Sequence, residues 1–239
     1  MSRHNNPVKL AQWEATRLGP DSHAIDILVS VGTGMPSTET EVDDARMPPK
    51  SAISRLVQGL RSSFDCEKQS QEYHNSLERD RRENHFRLNP LIHDGAIDLD
   101  AVDRLKEMKH IAHQPQISEQ VGRSLFALLA TSFYLELDSV PTRLKSGLLQ
   151  CRATIKFRLP GPQLMELLVR SEQTELEFVT QSQRLGFLHP QNDVCQHCHR
   201  FRKDVVLIVP HMQERVTVEL QSPAQGRRHI SAFPQTITS

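Results

Sequence analysis

Hydrophobic residues recur at helical spacing near the start of the chain, at Val8, Ala11, Ala15 and Leu18. This spacing predicts a helix with one apolar face. The turn Asn5-Asn6-Pro7 predicts where the helix begins, because Asn6 suits the cap position and proline loses nothing at the first helical position. Gly19 followed by Pro20 predicts its end, since proline cannot continue a helix.

The pattern then changes to a nearly continuous apolar run, IDILVSV, over residues 25–31. Such a run is typical of a strand that is covered on both faces, as in a parallel sheet. Gly32-Thr33-Gly34 follows and predicts a tight turn at the carboxyl end of the strand, where open α/β sheets place their ligands.

In the rest of the first region, polar segments alternate with segments whose apolar residues recur at helical spacing. Residues 35–50 predict a polar loop, and residues 51–64 return to helical spacing. The charged stretch 67–84 predicts a solvated helix rather than a binding surface. Residues 85–91 predict a short strand. A further helix, capped by Asp98 or Asp100, would place Val102, Leu105, Met108 and Ile111 on one face.

A second region begins near Ile117 with the pattern of an amphipathic helix and continues into FYLEL, a candidate strand. Residues 149–159 alternate strictly between apolar and polar, which predicts a half-buried antiparallel strand. Residues 162–170 predict a helix, and 176–179, 205–209 and 216–220 predict strands. We therefore expect two regions: residues 1–114 as α/β, and residues 117–239 as a smaller α+β region with an antiparallel sheet.

Composition narrows the range of partners and compartments. The chain has 239 residues with 29 basic and 29 acidic side chains, so its net charge gives no reason to expect nucleic acid as a partner. No signal peptide or transmembrane segment is visible in the sequence. Four cysteines do not form a disulfide framework in a chain of this length. A cytoplasmic setting is the expectation.

Several short motifs occur in one order: HNNPVKLAQWEATRLGP, then IDILVSVGTG, then FRLN at 86–89. In that order they resemble patatin-like phospholipases, in particular large multidomain members of the fungal type. The resemblance implies that residues 1–114 are the C-terminal portion of a FabD/lysophospholipase-like acyl hydrolase domain. Asn5, Asn6, Pro7, Gly32, Thr33 and Gly34 would then be structural residues near the active-site face. The implied substrate is a lipid or another acyl ester.

The same resemblance implies a serine–aspartate dyad that this chain lacks. The serine of the family lies in a G-x-S-x-G elbow, and no two glycines of this chain stand four residues apart. The aspartate should precede Asn5, so both residues are expected upstream of Met1. Asp94-Gly95-Ala96 copies the aspartate motif but lies after the Asn-Asn-Pro turn, and we interpret it as a turn. The sequence SVGTG at 30–34 lacks the lysine and spacing of a phosphate loop.

Cys195-Gln196-His197-Cys198-His199 is the other chemical motif. C-x-x-C-H is the attachment signature of c-type haem, but the charged neighbours and the absent signal peptide argue against haem. Two thiolates at this spacing supply half of a tetrahedral zinc site. The remaining ligands could come from Cys151, His189, His199 or His211. The alternative is that the cysteines are small thiols of a core or turn.

Two functions follow from these observations. In the first, the chain is part of a patatin-like lipid acyl hydrolase and is inactive by itself, with either no cofactor or zinc. The second is a non-catalytic interaction or zinc-binding module at 117–239. None of the twelve histidines is assigned to catalysis, since the family uses a dyad without histidine.

Overall fold

The computed structural model describes residues 7–18, 25–32, 34–36, 66–92, 102–171, 173 and 175–237. The chain divides into two compact units, 1–121 and 122–239. The division falls inside the helix Pro115–Thr131. The described part is a mixture of helices, parallel strand pairs and antiparallel sheets. The predicted helix at 51–64 and the caps Asp98 and Asp100 lie outside it.

The first unit contains short helices and two parallel strand pairs. Its elements in chain order are α1 (Val8–Leu18), β1 (Leu28–Val31), β2 (Met35–Pro36), α2 (Cys66–Ser76), α3 (Arg79–Arg82), β3 (His85–Leu88), β4 (Leu91–Ile92), a 3₁₀ turn (Val102–Arg104) and α4 (Leu105–Ala112), and it ends within α5 (Pro115–Thr131). Strand β1 pairs in parallel with β3, and β2 with β4. The parallel strand predicted at 25–31 is confirmed over Leu28–Val31. The loop predicted at 35–50 is wrong at its first two residues, which form strand β2.

Strand β1 is less covered than its composition predicts. The prediction that both faces are covered is wrong for Val29 and Val31, which are 36% and 73% exposed. Among the described residues, strand β1 pairs only with β3. Apolar side chains that suit a central strand therefore face solvent.

The predicted apolar faces of the helices are also largely exposed. In α1 the side chain of Val8 is buried, while those of Ala11, Ala15 and Leu18 are exposed. In α4 only Ile111 is buried among the described apolar residues of the predicted face. The helical period was predicted correctly, but periodicity cannot reveal whether a partner surface is present to cover the face.

The second unit consists of antiparallel sheets with helices against them. After α5 it contains β5 (Phe133–Leu137), β6 (Thr142–Arg143), β7 (Leu149–Phe157), α6 (Gly161–Arg170), β8 (Glu177–Val179), β9 (Arg184–Phe187), α7 (Pro190–Asp193), β10 (Arg202–Val209), β11 (Arg215–Val216), β12 (Glu219–Ser222), β13 (Gly226–His229) and β14 (Gln235–Thr236). One sheet has the order β10-β7-β5 with β6 also on β7, a second has the order β13-β12-β8-β9, and β11 pairs with β14. No described helix has both the length and the apolar character needed to cross a membrane.

Strand β7 confirms the predicted alternation. Cys151, Ala153, Ile155 and Phe157 are all buried, and antiparallel neighbours flank the strand on both sides. The prediction is wrong at Leu159, which lies beyond the strand and is exposed. Thr154, on the polar face, is buried because its hydroxyl donates to Asp138 at 2.8 Å.

Aromatic side chains form the centre of the second unit. The ring of Phe133 lies 4.8 Å from Phe157, 5.0 Å from Phe178 and 5.3 Å from Phe201, measured between ring centroids. These four side chains come from β5, β7, β8 and the residue before β10, so the cluster joins the two larger sheets. Such edge and tilted arrangements are the favourable ones for aromatic pairs.

One predicted strand is divided in the structure. Residues 216–220 were predicted as a single strand, but β11 ends at Val216 and β12 begins at Glu219. The two halves have different partners, since Val216 pairs with Gln235 and Glu219 pairs with Val179. A change of partner requires the chain to turn between them, and apolar patterning does not encode that change.

The exposed strand β1 leads to a prediction about isolated fragments. Residues 1–114 expressed alone are expected to be poorly soluble or molten, because apolar surface such as that of Val31 favours aggregation. Residues 117–239, which contain the aromatic cluster, are expected to stay dispersed and unfold cooperatively. Gel filtration and urea unfolding of each fragment test this. If the 1–114 fragment stays dispersed and unfolds cooperatively, the exposed apolar side chains of β1 do not cause aggregation and the prediction is contradicted.

Candidate functional site

A glycine turn closes the carboxyl end of the parallel pair β1–β3. The Gly32 N–H donates to the Leu88 carbonyl at 2.8 Å, which extends the pairing by one bond. The Gly34 N–H donates to Asn89 Oδ1 at 2.9 Å. Gly34 has a φ of +109°, a conformation that residues with side chains rarely adopt. The turn therefore requires glycine at 34 for backbone reasons.

Gly32 leaves space for two polar side chains. A Cβ atom there would lie 2.1 Å from Asn89 Oδ1 and 2.8 Å from a guanidinium nitrogen of Arg87. Both distances are shorter than any ordinary contact of a Cβ atom, so the glycine lets two polar side chains pass directly over the backbone. Asn5, Asn6 and Thr33, predicted to be structural here, lie outside the described residues. Pro7 directly precedes α1, and its carbonyl accepts the N–H of Ala11 at 2.8 Å.

A polar network holds this turn in place. Arg87 donates to Ser30 Oγ at 2.9 Å and to Glu67 Oε2 at 3.2 Å. The amide of Asn89 donates to the same Glu67 oxygen at 2.8 Å. One carboxylate of α2 thus fixes two side chains at the end of β3, and Asn89 in turn holds Gly34. Part of the stretch predicted to be merely solvated therefore takes part in the candidate site.

The network positions the turn and does not activate a nucleophile. The Ser30 hydroxyl accepts a hydrogen bond from a guanidinium, and an arginine cannot act as a general base. The Gly32 and Gly34 N–H groups donate to protein oxygens. The sequence did not predict that four side chains form one network: Ser30, Glu67, Arg87 and Asn89. The two-residue spacing of Arg87 and Asn89 could have indicated that these two lie on the same side, because alternate residues of a strand share a face.

A buried histidine lies at the opposite end of strand β3. His85 is on β3, and its Nδ1 lies 3.2 Å from Nδ1 of His74. Burial, followed by the nearby charges of His74 and Arg87, lowers the pKa of His85 below its ordinary value. Burial therefore favours the neutral form of the imidazole.

The second candidate site is the cysteine turn, residues 194–201. Val194 and Phe201 form an antiparallel bridge at its base. The Cys195 N–H donates to the Arg200 carbonyl at 3.0 Å, and the His199 N–H donates to the Cys195 carbonyl at 2.9 Å. His199 has a φ of +53°, which reverses the chain directly after Cys198. The spacing of the two cysteines is thus part of a compact turn.

The cysteine turn lowers the pKa of Cys195. The backbone N–H groups of Cys198 and His197, and then the Cys198 thiol, hold the pKa of Cys195 below its ordinary value. The Cys195 side chain is partly exposed and that of Cys198 is exposed. Both are free thiols in the structure. Donors aimed at sulfur stabilise the thiolate, which is the nucleophilic and metal-binding form.

The other residues predicted as zinc ligands lie in different settings. Cys151 is fully buried on β7, and burial raises the pKa of its thiol. His189 precedes α7, and His211 pairs with Glu214 at 3.2 Å. Among the described residues, no group of three or more His, Cys, Asp or Glu side chains could hold a metal ion. Zinc binding stays a prediction that rests on Cys195 and Cys198.

The cysteine turn is anchored to the body of the second unit. Phe201 at its base belongs to the aromatic cluster. On its other side, the N–H of Gly161, the first residue of α6, donates to the His199 carbonyl at 2.7 Å. A Cβ atom on Gly161 would lie 2.7 Å from Val194 Cγ1 and 3.0 Å from the His199 oxygen. Helix and turn therefore meet at a distance that only glycine permits.

This close contact gives a stability prediction. Gly161→Ala should lower the free energy of unfolding by about 1–3 kcal/mol, because the new methyl group forces the turn and α6 apart. Gly122→Ala is the matched control, since its Cβ would meet only Gln225 Nε2 at 3.7 Å. Replacing a glycine inside a helix should raise stability by about 0.5–1 kcal/mol. Urea unfolding followed by circular dichroism measures both, and equal effects would contradict the tight contact.

Comparisons of the chain with known protein families, with curated proteins and with solved structures return no match.

Proposed function

We propose that residues 1–114 are part of a patatin-like lipid acyl hydrolase domain. The observation that carries the proposal is the parallel pairing of Leu28–Val31 with His85–Leu88, which ends in the glycine turn. The motifs of the resemblance, LVSVGTG and FRLN, are the two strands of this pair and the residues directly after them. Two segments that carry the resemblance and lie far apart in sequence are thus neighbours in the structure.

The placement of the turn also favours this function. In open α/β sheets, ligands bind outside the carboxyl ends of the strands, which is where Gly32 and Gly34 lie. The network of Glu67, Arg87 and Asn89 makes this end rigid. A hydrolase needs such an edge to hold its reacting groups in a fixed geometry.

The reaction of this class proceeds through a serine acyl-enzyme, with an aspartate as base and backbone N–H groups holding the oxyanion. In this chain the glycine turn would support that machinery without supplying it. The Gly32 and Gly34 N–H groups donate to Leu88 and Asn89. The proposed role of residues 1–114 is therefore to position a dyad that the 239 residues do not contain.

A second candidate is a non-catalytic module at 117–239. It is favoured by the separate aromatic core and by the anchored cysteine turn of the second unit. The two functions are compatible in one longer protein, but only the hydrolase requires a reactive serine.

Labelling with a fluorophosphonate probe tests the hydrolase proposal. The 239-residue chain should remain unlabelled, while the product of the complete coding sequence should be labelled at one serine of a G-x-S-x-G motif. If neither protein is labelled, the hydrolase proposal fails and the non-catalytic module remains. A labelled serine within the 239 residues would show that the assigned motifs are wrong.

A further inference from the structure

A cavity of about 550 Å³ lies beside strand β5 in the second unit. Its walls combine a cation, two hydroxyl groups and an amide with apolar surface, and they are formed by Tyr134, Leu135, Arg158, Ser231, Ala232 and Gln235. Cavities of about 300–1,000 Å³ with a few converging polar groups are typical of small-molecule sites. Neither the glycine turn nor the cysteine turn contributes a residue to this cavity.

The cation of the cavity is held in place by its neighbours. Arg158 directly follows strand β7, and its guanidinium donates to Ser231 Oγ. The Cζ atom of Arg158 lies 5.9 Å from the centre of the Tyr134 ring. Ser231 is 3% exposed, and its backbone N–H donates to the Phe133 carbonyl at 2.9 Å. A buried hydroxyl and an aromatic ring therefore fix the guanidinium at the cavity wall.

The polar groups of the cavity suit a carboxylate. A guanidinium has five N–H donors in a planar fork that matches both oxygens of one carboxylate, so Arg158 can hold Ser231 and an anion together. Tyr134 and Ser231 add hydroxyl groups to the same walls, and a hydroxyl that accepts a hydrogen bond can still donate its own hydrogen. Among the described residues, no acidic side chain lines the cavity. The walls therefore favour an anion.

A second cavity, of about 210 Å³, adjoins the first and is largely apolar. The two cavities are neighbours because both have Leu135 and Gln235 in their walls. Aliphatic side chains of the second cavity include Leu137, Leu207 and Ile237. The apolar part of a ligand bound in the first cavity would extend toward these side chains, and burying it there would strengthen binding.

The backbone at the cavity wall is held in an uncommon conformation. Ala232 has a φ of +66°, in the left-handed region that residues with side chains rarely adopt. Such strained residues cluster at binding sites, where the surrounding structure imposes the conformation. Ala232 directly follows Ser231, so the chain turns immediately after the hydroxyl that contacts Arg158.

We propose that this cavity binds a small organic acid, namely a carboxylate carried on an aliphatic body. The carboxylate lies against Arg158 and Ser231, and the aliphatic body passes Leu135 toward the second cavity. Binding is non-covalent and needs no co-reactant. The site belongs to the second unit and is independent of the proposed acyl hydrolase.

The experiment titrates the purified full chain at neutral pH with butanoate, hexanoate and octanoate. NMR spectra of the backbone amides report binding at Ala232 and Gln235, which are in the cavity wall. Both signals should shift and saturate with octanoate, and the affinity should rise about four-fold for each added methylene group. Octanol has the same chain without the charge and should bind at least about ten-fold more weakly.

Two arginine variants separate a specific site from general charge attraction. Arg158→Gln should weaken octanoate binding at least about ten-fold and leave octanol binding unchanged, because only the acid needs the guanidinium. Arg152→Gln is the matched control, since Arg152 is an exposed residue of β7 that does not line the cavity. It removes the same charge and should alter octanoate affinity by no more than about two-fold, because salt screens exposed charges. Circular dichroism establishes that each variant is folded.

Three results would overturn the proposal. The first is a titration in which octanoate produces no saturable shift at Ala232 and Gln235. The second is equal affinity of the wild-type chain for octanoate and octanol, a comparison that needs no variant. The third is an equal loss of octanoate affinity in Arg158→Gln and Arg152→Gln, which would show that net charge and not the cavity attracts the acid.

Discussion

The purified 239-residue chain is expected to hydrolyse a short-chain nitrophenyl ester no faster than buffer alone. The nucleophile and its base act as a unit, and losing a nucleophile costs on the order of a million-fold in well-studied serine hydrolases. The glycine turn cannot compensate, because the Gly32 and Gly34 N–H groups donate to Leu88 and Asn89. The measurement is release of nitrophenol at neutral pH over a range of protein concentrations.

The control for this assay is the Asp94→Asn variant. Asp94 lies outside the described residues, and Asp94-Gly95-Ala96 is the only place where the chain repeats the aspartate motif of the family. We expect wild type and variant to be equally inactive. Turnover in proportion to wild-type protein that Asp94→Asn abolishes would make Asp94 the base and contradict the assigned motif order.

Phe133→Ala should be the most damaging single substitution in the second unit, lowering the free energy of unfolding by about 3–5 kcal/mol. Phe133 is fully buried, and its ring contacts those of Phe157, Phe178 and Phe201. Truncation would leave a cavity where the two larger sheets meet. The chain has one tryptophan, Trp13, in the first unit, so unfolding of the second unit should be followed by circular dichroism.

Phe187→Ala is the matched control for that substitution. Phe187 ends the edge strand β9 and is 44% exposed, so its loss should cost no more than about 1 kcal/mol. Similar costs for the two variants would show that the aromatic cluster does not dominate the stability of the second unit.

The sequence predicted the second unit better than the first because its strands have strict patterns. Residues 149–157 alternate, and an alternating pattern can be satisfied only by a strand with one buried face. The helix at Pro115–Thr131 and the strand at Phe133–Leu137 were also predicted from periodicity. In each case the local pattern and the tertiary environment agree.

Other features depend on contacts that periodicity does not encode. Val31 and Leu18 are exposed, and a local apolar pattern does not encode whether another element covers it. Glu67 joins the glycine turn only because α2 lies beside the end of β3, and that placement is a long-range one. In the cysteine turn, the spacing was visible in sequence, but the anchoring by Gly161 was not.

The central proposal is that residues 1–114 are part of a patatin-like acyl hydrolase domain. The most direct measurement is to sequence the transcript upstream of the Met1 codon. We predict an open reading frame that encodes G-x-S-x-G and then an Asp-Gly-Gly or Asp-Gly-Ala a few residues before Asn5. An in-frame stop codon directly ahead of Met1, with neither motif upstream, would contradict the claim.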